Sequence, residues 1–148
     1  MRKLLKPLGA DYGCIILDCP PSISLVSEAV FAAADALLVP VIPTTLSLRT
    51  LQQLIAFREQ QDLRSTHVLP FFSMVDRRKK LHQEIVADLP RQYPHMLVSE
   101  IPYASDVERM GIHRAPLGSF AGNSRSVKAY EALWQEVRAR IEGRVAWE

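Results

Sequence analysis

One carboxylate in the chain stands in a setting suited to chemistry. The apolar run Cys14-Ile15-Ile16-Leu17 leads directly into Asp18, and Cys19 is then followed by Pro20 and Pro21. A short continuous apolar run of this kind reads as a strand covered on both faces. The prolines forbid the strand from continuing. In an open α/β sheet, ligands bind beyond the carboxyl ends of the strands. Asp18 would stand at such an end, where it could hold a Mg²⁺ ion or that ion's water shell. The same residue also reads as the cap of a helix starting near Ser22.

The second cluster is basic. Arg77-Arg78-Lys79-Lys80 follows Asp76, and Arg125 and Lys128 open the last helical stretch. Two readings stand side by side: a solvated loop, and a surface that touches nucleic-acid phosphates without reading sequence. Other chemistries find little support. Ser22, Ser24 and Ser27 lack the G-x-S-x-G setting of a nucleophilic serine. His67, His82, His95 and His113 are scattered without metal-ligand spacing. Cys14 and Cys19 read as free thiols. Tyr130 and Trp134 read as core residues of the last helix rather than as a stacking platform.

These residues need a scaffold. Besides the run at 14–17, apolar strand-like segments occur at Ala36–Val39 with Val41-Ile42, at Val68–Val75, and from Met96 to Ile101. Pro70 argues that the third begins near an edge or a bulge. Helical patterns lie between them. Leu25, Val26, Ala29, Val30 and Ala33 share one face, as do Leu48, Leu51, Leu54 and Ile55, and then Leu81, Ile85 and Leu89. Ser105 and Glu108 suggest a capping box on a short helix that Gly111 would end. Val127, Tyr130, Leu133, Trp134, Val137 and Ile141 mark the last helix. Alternation of this kind predicts an α/β fold: a mostly parallel sheet of about four or five strands with helices on both faces.

Composition bounds the rest. The 148 residues make one domain, 48% of them are hydrophobic, and the formal net charge is +2. That charge alone does not announce a nucleic-acid binder. No apolar run approaches the roughly 18 residues that span a bilayer. The basic start is not followed by the apolar stretch of a signal peptide, so the cytoplasm is the expected location.

The segment from Asp11 to Ser22, reading DYGCIILDCPPS, closely resembles the Walker B segment of ParA/MinD-type ATPases. The stretches Glu28–Pro43 and Leu48–Leu54 resemble the strand and helix that follow it in that family. Met74–Arg78 and Glu100–Tyr103 fall where the family has its last nucleotide-side loops. The resemblance implies a partial P-loop NTPase fold in which ATP and Mg²⁺ are sandwiched between two subunits. Asp18 would be the Mg²⁺-associated carboxylate, acting through water. Pro20 and Pro21 would begin the loop that senses the γ-phosphate. Asp76, Pro102 and Tyr103 would lie on the nucleotide side, the last two near the adenine. Arg77, Arg78, Lys79, Lys80, Arg125 and Lys128 would be the candidates for non-specific DNA contact. Against that contact, Ile101-Pro102-Tyr103-Ala104 stands where the family has an Ile-Pro-Arg-Asn-type segment, and Asp106 where members often carry a second arginine.

The departures from the family shape the functional expectation. Its Gly-rich, lysine-bearing phosphate loop is missing: only Gly9 and Gly13 precede Asp18, and no G-K-[ST] occurs. By the resemblance, Met1 falls inside the helix before Walker B. Residues 1–148 are therefore expected to form a single, N-terminally truncated ATPase domain, not hydrolytic on its own and weak or inactive in ATP binding. The rivals are a non-enzymatic fragment that binds DNA or a partner, and a cobyrinate-synthase-type relative. The expected partners are a second copy, a partner ATPase or adaptor, and DNA. Self-association is expected because the strand at 14–17 would lose its neighbour.

Overall fold

The computed structural model describes residues 2–19, 29–61, 63 and 66–143. Its elements run α1 (Arg2–Leu5), a 3₁₀ turn (Lys6–Ala10), β1 (Ala36–Val41), α2 (Thr45–Gln60), β2 (His67–Val75), α3 (Lys80–Gln92), β3 (Glu100–Pro102), α4 (Ser105–Glu108), α5 (Met110–His113), a 3₁₀ turn (Leu117–Ser119) and α6 (Arg125–Ile141). Residues 29–31 are helical. The rest of the helix expected from Leu25 lies outside the described residues.

Three strands form one sheet in the order β1-β2-β3, and both pairings are parallel. The fold class is the expected one, with a layer of helices on each face. On one face Val68, Phe72 and Val75 of β2 pack with Leu51 of α2 and with Ile85 and Leu89 of α3. On the other, Leu69, Phe71 and Ile101 pack against Leu133 and Val137 of α6. Parallel strands require such double cover, which is why β2 is apolar at nearly every position.

Local chemistry sets the helix ends. Thr44 caps α2, its hydroxyl accepting from the Ser47 N–H at 3.4 Å. Ser124 caps α6 in the same way, accepting from Val127 N–H at 3.3 Å. Arg138 and Arg140 close α6 at its electronegative end. The buried hydroxyl of Thr66 donates to the Phe31 carbonyl at 2.7 Å, pinning the end of the 29–31 helix to the start of β2.

Several expectations are corrected. The run at 14–17 is not a strand: residues 14–19 adopt no regular structure, and Ile16 is 78% exposed. An apolar run has the potential to be buried, but a strand exists only where a neighbour supplies its hydrogen bonds. The sheet accordingly has three strands among the described residues. Pro70 stands mid-way along the central strand, opposite Val39, rather than near an edge. His67 N–H donates to the Asp35 carbonyl, so residues 67, 69 and 71 bond to β1 and Pro70 faces the β3 side. There it meets Leu97, which precedes β3 and donates its N–H to the Pro70 carbonyl at 2.8 Å. No donor is asked of the proline.

The short helices also differ from expectation. Ser105 is inside α4, capped by Ala104 without a side-chain bond, so no capping box forms. Gly111 lies within α5, which ends instead at Arg114 in a left-handed conformation, φ 47°. Trp134 and Tyr130 are not core residues: Trp134 is 40% exposed and Tyr130 similarly so, while Val127, Leu133 and Val137 carry the buried face of α6.

Candidate functional site

The carboxyl ends of β2 and β3 form one corner. Val75 pairs with Pro102, and Tyr103 N–H donates to the Val75 carbonyl at 3.0 Å. Asp76 and the Pro102-Tyr103 segment are thereby side by side, at the end of the sheet where parallel α/β folds bind ligands. Just before this corner the backbone of β2 turns left-handed at Met74, φ 56°, and the register with β3 shifts between Phe72 and Val75. This is a bulge, with a non-glycine residue holding the unfavourable conformation.

A set of ties fixes the turn after Asp76. Its carboxylate accepts from Arg78 Nε and Nη2, both at 2.9 Å, and from Arg78 N–H at 3.0 Å. Those hydrogen bonds, the side-chain ones first, hold the Asp76 carboxyl well below the usual carboxylate range. Reciprocally, the Arg78 guanidinium is held above its ordinary value, chiefly by Asp76 and more weakly by Tyr103. Arg77 Nη2 pairs with Glu100 of β3 at 3.1 Å. From α3, His82 Nδ1 accepts the Asp76 N–H at 3.1 Å, and Gln83 Nε2 donates to the Arg77 carbonyl at 2.6 Å.

These ties bear on the basic run. Arg77 faces Glu100, Arg78 faces Asp76, and Lys80 lies 3.7 Å from Glu84. Lys79 alone of the four has no ion-pair partner among the described residues. Arg125 and Lys128 lie exposed at the start of α6, away from this turn in the chain.

The other residues singled out in the sequence are not drawn into the corner. Asp18 is exposed on the irregular segment 14–19, and no hydrogen bond or ion pair joins it to Asp76, Pro102 or Tyr103 among the described residues. No group of three or more His, Cys, Asp or Glu side chains is arranged to hold a metal ion among those residues. Pro20 and Pro21 lie outside the described residues. Cys14 and Cys19 are free and exposed.

Three positions gain roles that sequence reasoning missed. His82 tethers the Asp76 turn. Asp106 accepts from the hydroxyls of Ser124 at 2.9 Å and Ser126 at 2.8 Å, fastening the segment after β3 to the start of α6. Glu136 accepts from Val98 N–H at 2.7 Å, Ser99 N–H at 2.9 Å and the Ser99 hydroxyl at 2.7 Å, fixing the approach to β3. These partners are far apart in sequence, and no local pattern announces them. The nearest signal was the off-family acid at Asp106.

Known proteins are similar to this chain in sequence along most of its length. A family model described as an AAA domain matches residues 1–69. The chromosome-partitioning ATPase Soj of Treponema pallidum is 28% identical over 145 residues, covering 95% of this chain and 57% of the relative. The chromosome partitioning protein ParA of Myxococcus xanthus is 29% identical over 150 residues, covering 95% of this chain and 51% of the relative. The cell division protein PomZ of the same organism is 30% identical over 105 residues, covering 68% of this chain and 33% of the relative. The chain thus spans about half the length of the first two relatives. The all-parallel sheet, the double helical cover and these matches together support a relationship to the ParA/MinD-type ATPases.

Proposed function

We propose that this chain supplies the base-side wall and the Walker B carboxylate of a partitioning-type ATPase, and does not hydrolyse ATP by itself. The observation that carries this reading is the junction of Asp76 with Pro102-Tyr103, made by the Tyr103 N–H to Val75 carbonyl bond across parallel strands. The exposed ring of Tyr103 at the sheet's carboxyl end suits a nucleotide base. Asp18 is a single exposed carboxylate. Mg²⁺ needs about six oxygens, so phosphate and water must supply the remainder. The sequence carries no G-K-[ST] loop to hold that phosphate. Positioning and charge neutralisation supply most of phosphoryl-transfer catalysis, and both depend on those missing donors.

A phosphate-release assay on the isolated chain should show no turnover above background, and titration with ATP should give a Kd weaker than about 1 mM. Turnover that disappears in Asp18→Ala would overturn this reading.

Partner binding is the second part of the proposal. Among the described residues, β1 is the end strand of the sheet. Its bonds to β2 come from the odd positions, so Ala36, Leu38 and Pro40 turn their backbone outward. Those three are uncharged, and Leu38 is 46% exposed. An uncharged outer edge supports association with a second copy or with a partner ATPase, tempered by the missing N–H of Pro40. Light scattering at micromolar concentration should report a mass above that of one chain; a monodisperse monomer contradicts association.

A further inference from the structure

The Asp76 turn depends on a histidine that the proposed function leaves unused. β2 outruns β1, whose last paired residue, Val41, stands opposite Phe72. On the other side, β3 takes the Val75 carbonyl through Tyr103. Asp76 N–H, half-buried, is therefore beyond both ladders and needs another acceptor. His82, in the first turn of α3, supplies that acceptor through Nδ1 at 3.1 Å. It is 4% exposed and lines a cavity of about 440 Å³ with Val75, Arg77, Gln83, Val86, Ala87 and Glu100.

The direction of this bond fixes the ring's chemistry. Only an unprotonated imidazole nitrogen can accept, so the ring is neutral with its proton on Nε2. Gln83, the next residue, grips the same turn with the opposite polarity by donating to the Arg77 carbonyl. We propose that His82 is the positioning residue of the candidate nucleotide corner, holding the Asp76 turn through its neutral Nδ1 so that the Asp76–Arg78 pair stays beside Tyr103. This rests on the nucleotide reading above. Protonation of the ring places an N–H on Nδ1 against the Asp76 N–H, donor against donor, and the turn lets go. The charged and titratable groups facing the ring are Asp76, Arg77 and Glu100. Asp76 is committed to Arg78 and Arg77 to Glu100.

Nitrogen-15 NMR of the whole chain tests the bond without any nucleotide. At pH 7.5 the His82 ring should show a protonated Nε2 and a bare Nδ1. The Asp76 amide shift should move on acidification with the same midpoint as the His82 ring, and stay flat in His82→Asn, whose Oδ1 replaces Nδ1 as acceptor. Asp76 amide exchange should rise at least tenfold in His82→Ala while the Ile85 and Leu89 amides stay protected, and return to within a few-fold of the parent in His82→Asn. An Asp76 amide indifferent to His82 titration overturns the proposal, as does a proton on Nδ1 at neutral pH. If His82→Ala does not fold, the parent and His82→Asn titrations still decide the matter. ATP titration of the same samples separates the two ideas. Tyr103 left unperturbed at ATP concentrations well above about 1 mM, with the amide coupling intact, removes the nucleotide reading alone. Binding that perturbs Tyr103, with the coupling absent, removes the role of His82 alone.

Discussion

Asp106 and Ser124 are joined by a 2.9 Å hydrogen bond, the serine hydroxyl donating to Oδ2, while Oδ1 takes the hydroxyl of Ser126 at 2.8 Å. One carboxylate thus fastens the segment after β3 to both the cap and the first turn of α6. Ser126 is buried, so removal of its acceptor leaves a hydroxyl without a partner. Asp106→Ala should lower stability by about 1–3 kcal/mol, measured as a shift in urea midpoint. The Ser126 bond first, then the Ser124 bond, holds the Asp106 carboxyl below its ordinary range. A depressed carboxyl contributes stability above the unfolded-state value of about 3.9, lost as pH falls toward the lower folded value. The stability difference between the parent and Asp106→Ala should therefore shrink below about pH 4. An undiminished difference contradicts the assignment.

Glu136 should be equally exacting about its charge. It accepts from two backbone N–H groups and one hydroxyl ahead of β3. Glu136→Gln replaces one acceptor oxygen by a donor, and Glu136→Ala removes both. The expected order of stability is parent, then Gln, then Ala, with a loss of about 2 kcal/mol or more for Ala. Hydrogen exchange should accelerate at Val98 and Ser99 before it does in the middle of α6. Unchanged exchange at those two amides would count against the clamp.

The basic turn should contribute little to any DNA contact. Three of its four cations already face carboxylates. A log–log salt slope near −1 is expected from one unpaired lysine, against about −3.6 for four independent phosphate contacts. Fluorescence anisotropy on a duplex at low salt measures this as the difference between the parent and a variant neutralised at Arg77, Arg78, Lys79 and Lys80 together. A steep slope that Arg77→Ala reduces as much as Lys79→Ala does would show that the pairs open on binding.

His67 makes the fold sensitive to mild acid. Burial, and then the neighbouring charges of Arg58 and His95, hold its pKa below the ordinary value. In the unfolded chain imidazole takes a proton near pH 6.5; in the fold it does so at lower pH. The contribution is complete above about pH 6.5 and is lost as pH falls through the folded value. The parent should lose more stability than His67→Gln between pH 7.5 and 5, read from urea midpoints. Parallel losses would rule the residue out.

The legible part of this molecule was what burial writes into a sequence. The apolar runs that became β1 and β2, and the helical spacing of Leu48, Leu51 and Leu54 or of Ile85 and Leu89, announced their elements because each pattern matches a covered surface. The corner of Asp76 with Pro102-Tyr103 was legible only through the family resemblance. Residues 14–17 carried as strong an apolar signal as β1, yet lie outside the sheet, because strand formation is decided by a neighbour and not by the strand. Trp134 misled for a related reason: its helical spacing matched the buried face, but that face is narrow and is filled by Val127, Leu133 and Val137. Pro70 misled because which side of a strand lacks a donor depends on pairing parity.

The left-handed turn at Met74 changes the phase of everything that follows it. Across it β2 advances three residues, from Phe72 to Val75, while β3 advances two, from Glu100 to Pro102. Val68 and Phe72 point to the α2–α3 layer, and so does Val75, although strict alternation assigns an odd position to the α6 side with Leu69 and Phe71. Met74 therefore acts as a one-residue frameshift in three dimensions. Were residue 74 to take an ordinary extended conformation instead, strict alternation would exchange the faces of every later strand residue and turn Val75 toward the α6 side. The reading frame of the corner is held at a residue that takes no part in its chemistry.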